Sequence, residues 1–314
     1  MLRNLLASAL GYGEIHAHQS SGDGPNEPDP CAECELKCSS ATVTPHDYHV
    51  LVRLPREEPP SSSSTSSSTT AAAWWPETLS DRLTAFETIL EDKKRIKATA
   101  FEYPDDPPRA FQHEAFVFSR RAKESSSTHL VAAAAGELVE LVRDELIRME
   151  TAGGTDDSKL TSSKSNTYII CAHSARDARC GARGPRIAAA ISKCSPNDTV
   201  ILSSHVGGHV YAGNVIVYGS GSASGTWFGG VHEQRVEQLL AGIDAAERAG
   251  IDPAQSEDLR PYWRGTSGRS KEDQASFFVA CGGDARGIPC VSRHMVFFSG
   301  DDVFDVAPCA AVVI

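Results

Sequence analysis

Residues 167–214 read TYIICAHSARDARCGARGPRIAAAISKCSPNDTVILSSHVGGHVYAGN, and the chain is organised around this stretch. Thr167–Cys171 is short and apolar between polar flanks, which is the pattern of a buried strand. A polar loop follows, carrying Cys171 and Cys180, and a helix is expected to open at Pro185, because proline suits the first helical position. A second strand, DTVILSS, ends in HVGGHVYAGN, which places His205 and His209 on a turn. Gly207 and Gly208 between the histidines oppose a helix there and allow close backbone approach and unusual torsions. Each pair of ligand-type side chains therefore stands at the carboxyl end of a strand. Two thiolates with two imidazoles suit a four-coordinate zinc ion or an iron–sulfur cluster. The plainer alternative is a basic surface loop over two buried thiols, with solvated histidines nearby.

Outward from this stretch the elements stay regular. Strands NVIVYGS and GTWFGGV and the helix HEQRVEQLLAGIDAAERAG complete a β-α-β-β-β-α order, compatible with a thioredoxin-like domain over residues 167–264. Upstream, HVLVRLP, IKATAFEY and HEAFVFS read as strands. Two helices lie among them: PETLSDRLTAFETILEDKKR, with Leu79, Leu83, Phe86, Ile89 and Leu90 on one face, and AAAAGELVELVRDELIRME. The expected fold is α/β in two domains, with residues 29–150 forming an N-terminal domain that is a degenerate relative of the C-terminal one. Residues 1–28 read as a flexible leader, the serine-rich 56–73 as a disordered insertion and 151–166 as a linker. In the extension 265–314, the runs FFVACGG, GIPCVSRHMVFF and APCAAVVI suggest further short strands.

Composition limits the partners. With 30 basic against 41 acidic residues the net charge is −11, which opposes attraction to nucleic acid or anionic lipid. No apolar run reaches the roughly 18 residues of a membrane span, so a soluble protein is expected. Nine cysteines are too few for a disulfide scaffold and odd in number, which favours reduced thiols or metal ligands and an intracellular, cytoplasmic setting. The start MLRNLLASAL, with one arginine and several leucines, keeps a mitochondrial address as the alternative, although Glu14 arrives soon.

Eight residues separate Cys171 from Cys180, too wide for a tight C-x-x-C redox pair and better suited to a loop wrapped around a cluster. Arg176, Arg179, Arg183 and Arg186 against Asp177 give that region an excess of cations, expected to stabilise thiolates. His173 lies near the site without completing a Rieske-type pattern, because no second histidine follows Cys180 at the matching position. A second zinc site can be drawn from Cys31, Cys34, His46 and His49, but the two histidines are too close together and His49 opens a strand, so ordinary thiols are the expected reading.

CAHSARDARCGARGP, then HVGGHVYAGNVIVYG, then GTWFGGVHEQRVEQLL resemble the sucrase/ferredoxin-like family, most clearly over residues 168–245. The resemblance implies a thioredoxin-like ferredoxin with a 2Fe-2S cluster on two cysteines and two histidines, here Cys171, Cys180, His205 and His209. His173, Arg176, Arg179, Gly207 and Gly208 would lie near it. The implied role is a proton-coupled one-electron carrier rather than a stand-alone enzyme. It would take electrons from a reductase such as a flavoprotein and pass them to an unknown acceptor. A redox or iron sensor, a structural zinc-binding interaction module and a free-thiol thioredoxin-like enzyme remain the alternatives. Nothing supports sucrose hydrolysis, because no convincing carboxylate pair is apparent. Cys281, Cys290 and Cys309 inherit no role.

Overall fold

Along each strand alternate side chains point to opposite sides, and here the two sides differ in chemistry. Tyr48, Val50 and Val52 of the first strand join an apolar layer, whereas His49 and Leu51 look the other way. The computed structural model describes residues 41–53, 79–90, 95–104, 113–121, 124–151, 165–219 and 221–280, all within one compact unit spanning 37–314. The leader, the serine tract, most of the linker, and Cys31, Cys34, Cys38, Cys281, Cys290 and Cys309 lie outside the described residues.

The fold is mixed α/β. In chain order the elements are β1 (Tyr48–Arg53), α1 (Leu79–Glu87), β2 (Ile96–Glu102), β3 (His113–Arg121), β4 (Glu124–Ala132) and α2 (Ala135–Thr151). Then follow β5 (Thr167–Cys171), α3 (Ala178–Cys194), β6 (Thr199–Ser203), β7 (Val215–Tyr218), β8 (Thr226–Phe228), α4 (Val236–Ala249), β9 (Trp263–Thr266) and α5 (Lys271–Ala280). The strands form one sheet in the order β4-β3-β1-β2-β6-β5-β7-β8-β9. Pairs β1–β2 and β5–β6 are parallel and the others antiparallel.

The chain therefore runs through β-α-β-β-β-α twice, and both passes lay their four strands in the same relative order, mirrored about the β2–β6 junction. That junction is short: Phe101 faces Ser203 and Glu102 faces Leu202. It is extended by Ser204, whose N–H donates to the Ala100 carbonyl at 2.9 Å and whose Oγ accepts from the Ala100 N–H at 2.9 Å. The two segments expected as separate domains thus supply two halves of one sheet. Helices α1 to α4 cover one face through Leu83 and Phe86, Leu138, Val142 and Leu146, Ile187 and Ile191, and Leu239 and Ile243. Among the described residues, no helix is long and apolar enough to cross a membrane.

The other face is concave. Tyr218 of β7 stacks on Phe118 of β3 at 4.1 Å, and its hydroxyl lies 3.3 Å from His49 Nδ1 on β1, although three or four strands intervene in the sheet. Trp227 of β8 also stacks on His49, at 6.1 Å. The curl is fastened where residues 42–46 run along β9: the Thr42 N–H donates to the Arg264 carbonyl at 2.9 Å and the Gly268 N–H to the His46 carbonyl at 3.0 Å. Inside lies a buried polar chain whose direction can be deduced. The Thr44 carbonyl accepts from His46 Nδ1 at 2.9 Å, so the neutral ring accepts at Nε2 from the Ser267 hydroxyl at 3.1 Å. Ser267 Oγ then accepts from Trp227 Nε1 at 3.1 Å and from the Tyr218 hydroxyl at 3.2 Å. Tyr218 in turn accepts from His49 Nδ1, leaving His49 Nε2 to accept from Thr99 Oγ1 at 2.9 Å. With all four of their nitrogens engaged, His46 and His49 act as fastenings of the core.

Three expectations change. Phe277–Ala280, expected as a strand, belongs to α5, where Phe278 stacks on Trp263 at 5.6 Å. Strand β4 was not anticipated, because Ser125, Ser126, Ser127 and Thr128 lack an apolar alternation; pairing with β3 along its whole length makes it a strand. Helix α1 stops at Glu87 rather than continuing to Arg95; there Thr88 Oγ1 bonds back to the Thr84 carbonyl at 2.9 Å.

Candidate metal centre

Cys171 is the last residue of β5 and is buried; its N–H donates to the Asn214 carbonyl at 3.1 Å. Cys180 was expected on a loop but is the third residue of α3, which starts seven residues before Pro185. The cause is local. Asp177 caps the helix by accepting from the Arg179 N–H at 2.9 Å, and Gly181 and Gly184 let the first turns lie directly on the strand end. A Cβ at Gly184 would stand 2.6 Å from the Cys171 carbonyl oxygen, and one at Gly181 would stand 2.4 Å from Ser174 Cβ. This close approach brings the Cys180 thiol onto that of Cys171.

The histidine turn leaves β6 beside these thiols. The Ala172 N–H donates to the Ser203 carbonyl at 2.9 Å, and the His205 N–H donates to His173 Nδ1 at 3.2 Å, which puts the proton of a neutral His173 on Nε2. Gly207 and Gly208 take φ of 97° and 69°, the left-handed region anticipated for a tight turn, and His209 opens a single 3-10 turn, His209–Tyr211. The side chain of His209 lies outside the described part of the structure.

Arg264 of β9 holds this turn from behind. Its Nη1 donates to Asn214 Oδ1 at 2.6 Å and to the Gly207 carbonyl at 3.2 Å, and its Nε donates to Thr42 Oγ1 at 3.1 Å. Asn214 Nδ2 closes the loop by donating to the Gly208 carbonyl at 3.3 Å. Burial lowers the Arg264 pKa to about 10. Sequence reasoning missed Arg264 and Asn214. The available signal was a charged residue between Trp263 and Gly265, in a run otherwise built for burial.

The two thiols share their protons unequally. A hydrogen bond from Cys180 holds the Cys171 thiol well below its usual range, against the effect of burial, and His205 and the backbone N–H groups of Val206 and His173 act in the same direction. Cys180 is pushed up, chiefly because it donates that bond. The pair thus releases one proton readily and keeps the second. The loop cations are mostly engaged elsewhere. Arg179 pairs with Asp177 at 2.9 Å, Arg183 donates to the Ala212 carbonyl at 3.2 Å, Arg186 reaches Glu233 at 3.4 Å and Arg176 is exposed. Among the described residues, no three His, Cys, Asp or Glu side chains are arranged to hold a metal ion.

The sucrase/ferredoxin-like family model matches residues 40–265, from just before β1 to the middle of β9. The chain belongs to the sucrase/ferredoxin-like family. The family match takes in both halves of the sheet and includes Lys97, Cys171, Cys180, His205, His209 and Arg264, so it reaches beyond the region where the motifs alone are clear. Within the family, the chain is 35% identical over 113 residues to the "Altered inheritance of mitochondria protein 32" of Saccharomyces cerevisiae (strain YJM789), covering 30% of this chain and 36% of that protein. It is 39% identical over 98 residues to the protein of the same name from Saccharomyces kudriavzevii, covering 26% and 32%. The match thus spans about a third of the length of these curated relatives. No solved structure matches.

Proposed function

We propose that the chain is a one-electron carrier whose centre is a 2Fe-2S cluster held by Cys171, Cys180, His205 and His209. The observation that carries this reading is the contact between the Cys171 and Cys180 thiols beside the turn bearing both histidines, at one end of the sheet. The chemistry of the donor set supports such a group. Cys171 is already biased toward the thiolate, and the turn is built on two left-handed glycines, one of which leaves open the space a Cβ would fill. A 2Fe-2S cluster supplies a one-electron couple, and exchanging two cysteines for histidines in Rieske centres raises its potential from about −400 mV to between about −150 and +300 mV.

The chain does the rest. Val206 and His173 direct N–H groups at the Cys171 sulfur, burial of both cysteines keeps water away, and Arg264 fixes the histidine turn. A proton on an outer imidazole nitrogen of His205 or His209 would offset added negative charge, so the midpoint potential should fall as pH rises. Potentials measured between about pH 6 and 9 test this, and a flat profile removes the proton coupling.

The repeated β-α-β-β-β-α order supports a thioredoxin-like reading of each half. The electron donor would be a reductase such as a flavoprotein. The name of the yeast relatives adds weight to a mitochondrial address over a cytoplasmic one, which subcellular fractionation decides. The decisive experiment is a visible absorption spectrum with iron and acid-labile sulfide analysis on protein purified without oxygen, beside His205→Cys and His209→Cys variants. About two irons and two sulfides per chain, with bands moved by either substitution, are expected. A colourless protein holding one zinc would make it a structural interaction module. The thiol contact also favours one second reading, a dithiol that closes to a disulfide by giving two electrons and two protons to an acceptor disulfide; its activity would survive loss of both histidines.

A further inference from the structure

Lys97 is a second cation, beside Arg264, on the face of the sheet that carries the histidine turn. It lies on β2 with its side chain on the concave side, the side of Thr99 and Phe101, while its neighbours Ile96 and Ala98 join the helix-facing layer. Strand β2 runs antiparallel to β6, with Phe101 opposite Ser203 and Ala100 bonded to Ser204. Continuing that register past the end of β6 sets Thr99 level with His205 and Lys97 level with Gly207. Arg264 reaches the same turn from β9, with Nη1 on the Gly207 carbonyl at 3.2 Å. Both cations approach the indole of Trp227, with Lys97 Nζ 5.8 Å and Arg264 Cζ 5.7 Å from its ring centroid.

Neither cation makes an ion pair among the described residues. Arg264 donates to a hydroxyl, a carbonyl and an amide, and the partner found for the Lys97 ammonium is the face of Trp227. Glu87 on α1 acts on Lys97 from beyond ion-pairing distance, and Arg264 repels it. Burial lowers Lys97 to about 8. Among the described residues no carboxylate pairs with the buried Arg264, whereas Lys97 is half-buried and the negative charge that acts on it most is Glu87. Both cations lie on the face that carries Cys171, Cys180 and the histidine turn, so charge added to a centre there acts on them through the protein interior.

We propose that Lys97, backed by Arg264, is the counter-charge that sets the electron affinity of the centre held by Cys171, Cys180, His205 and His209. The inference rests on the cluster reading above. An electron arriving there adds one negative charge beside two cations already in place, with no side chain needing to move. Lys97 is a positioning charge: it supplies neither a ligand nor a hydrogen bond to the turn.

The test is the midpoint potential of the holoprotein, with iron and sulfide counted, in the parent chain and in Lys97→Met, Lys97→Gln and Lys97→Arg. Lys97→Met and Lys97→Gln should reduce the equilibrium constant for reduction about tenfold, a downward shift of about 59 mV for one electron. Lys97→Arg, which keeps the charge, should stay near the parent value. If either neutral variant is fully loaded and its potential is unchanged, the inference is overturned while the cluster reading stands. If the parent chain carries neither iron nor labile sulfide, the cluster reading falls and this inference falls with it.

Discussion

Gly208 and Gly207 differ in one respect that makes them a controlled pair. Both occupy left-handed torsions, but a Cβ on Gly208 would stand 2.1 Å from Arg264 Nη2, whereas one on Gly207 would meet nothing within 4 Å. Gly207→Ala should therefore cost only the left-handed penalty, about 1–2 kcal/mol. Gly208→Ala should cost that and also displace the guanidinium from the Gly207 carbonyl and Asn214. Urea unfolding should rank Gly208→Ala clearly below Gly207→Ala, and the gap should shrink in an Arg264→Ala background, where the obstructing group is gone. Equal losses in both backgrounds would mean that Arg264 does not hold the turn. The glycines and their loop character were legible in the sequence. The residue that forbids a side chain at one of them was not, because it arrives from a strand more than fifty positions away.

Helix α3 shows how an element reinterprets its residues. Pro185 signals a start, and the helix instead begins at Ala178 because Asp177 is a better signal once its side chain is free to cap. Cys180 then sits in the first helical turn, where exposed N–H groups favour negative charge, and yet the proton of the pair rests on it. Cys171 wins the contest because more donors converge on its sulfur. Asp177→Ala should cost about 1 kcal/mol of stability through the lost cap. It also releases the Arg179 side chain paired with Asp177 at 2.9 Å. Fraying of this turn should separate the thiols, so Cys180 should react faster with an alkylating agent in the variant, whereas Asp177→Asn, which retains a capping oxygen, should stay close to the parent chain. Equal alkylation rates in Asp177→Ala and the parent would remove the cap from the account of the site.

The molecule as a whole is fastened by groups that must stay neutral. Burial lowers His46 to about 4, with Lys97 and Arg95 pushing the same way and Asp47 and the Thr44 carbonyl opposing, and burial likewise holds His49 well below 6.5. An unfolded chain takes up these protons near pH 6.5, before the folded one does, so stability is complete above that value and is lost as pH falls toward about 4. His46 alone accounts for on the order of 3 kcal/mol of that loss. Denaturant unfolding at a series of pH values should show the decline, and a His46→Gln variant should show a shallower one. A flat profile across the window would mean that the curled sheet is not closed by neutral histidines. Ser267→Ala should weaken the same fastening at every pH, because it leaves the Trp227 N–H and His46 Nε2 without their partner.

Periodicity and turn chemistry in the sequence determined the alternation of strands and helices and the β-α-β-β-β-α order of the second half, because these rest on interactions between near neighbours. The tertiary structure decided that both halves share one sheet, because a strand pairing as short as β2–β6 leaves no local mark. It also decided where the cations lie. Arg176, Arg179, Arg183 and Arg186 are next to the cysteines in sequence but are exposed or otherwise engaged. Lys97 and Arg264 are distant in sequence and share one indole ring in space, because the curl of the sheet brings β2 and β9 to Trp227.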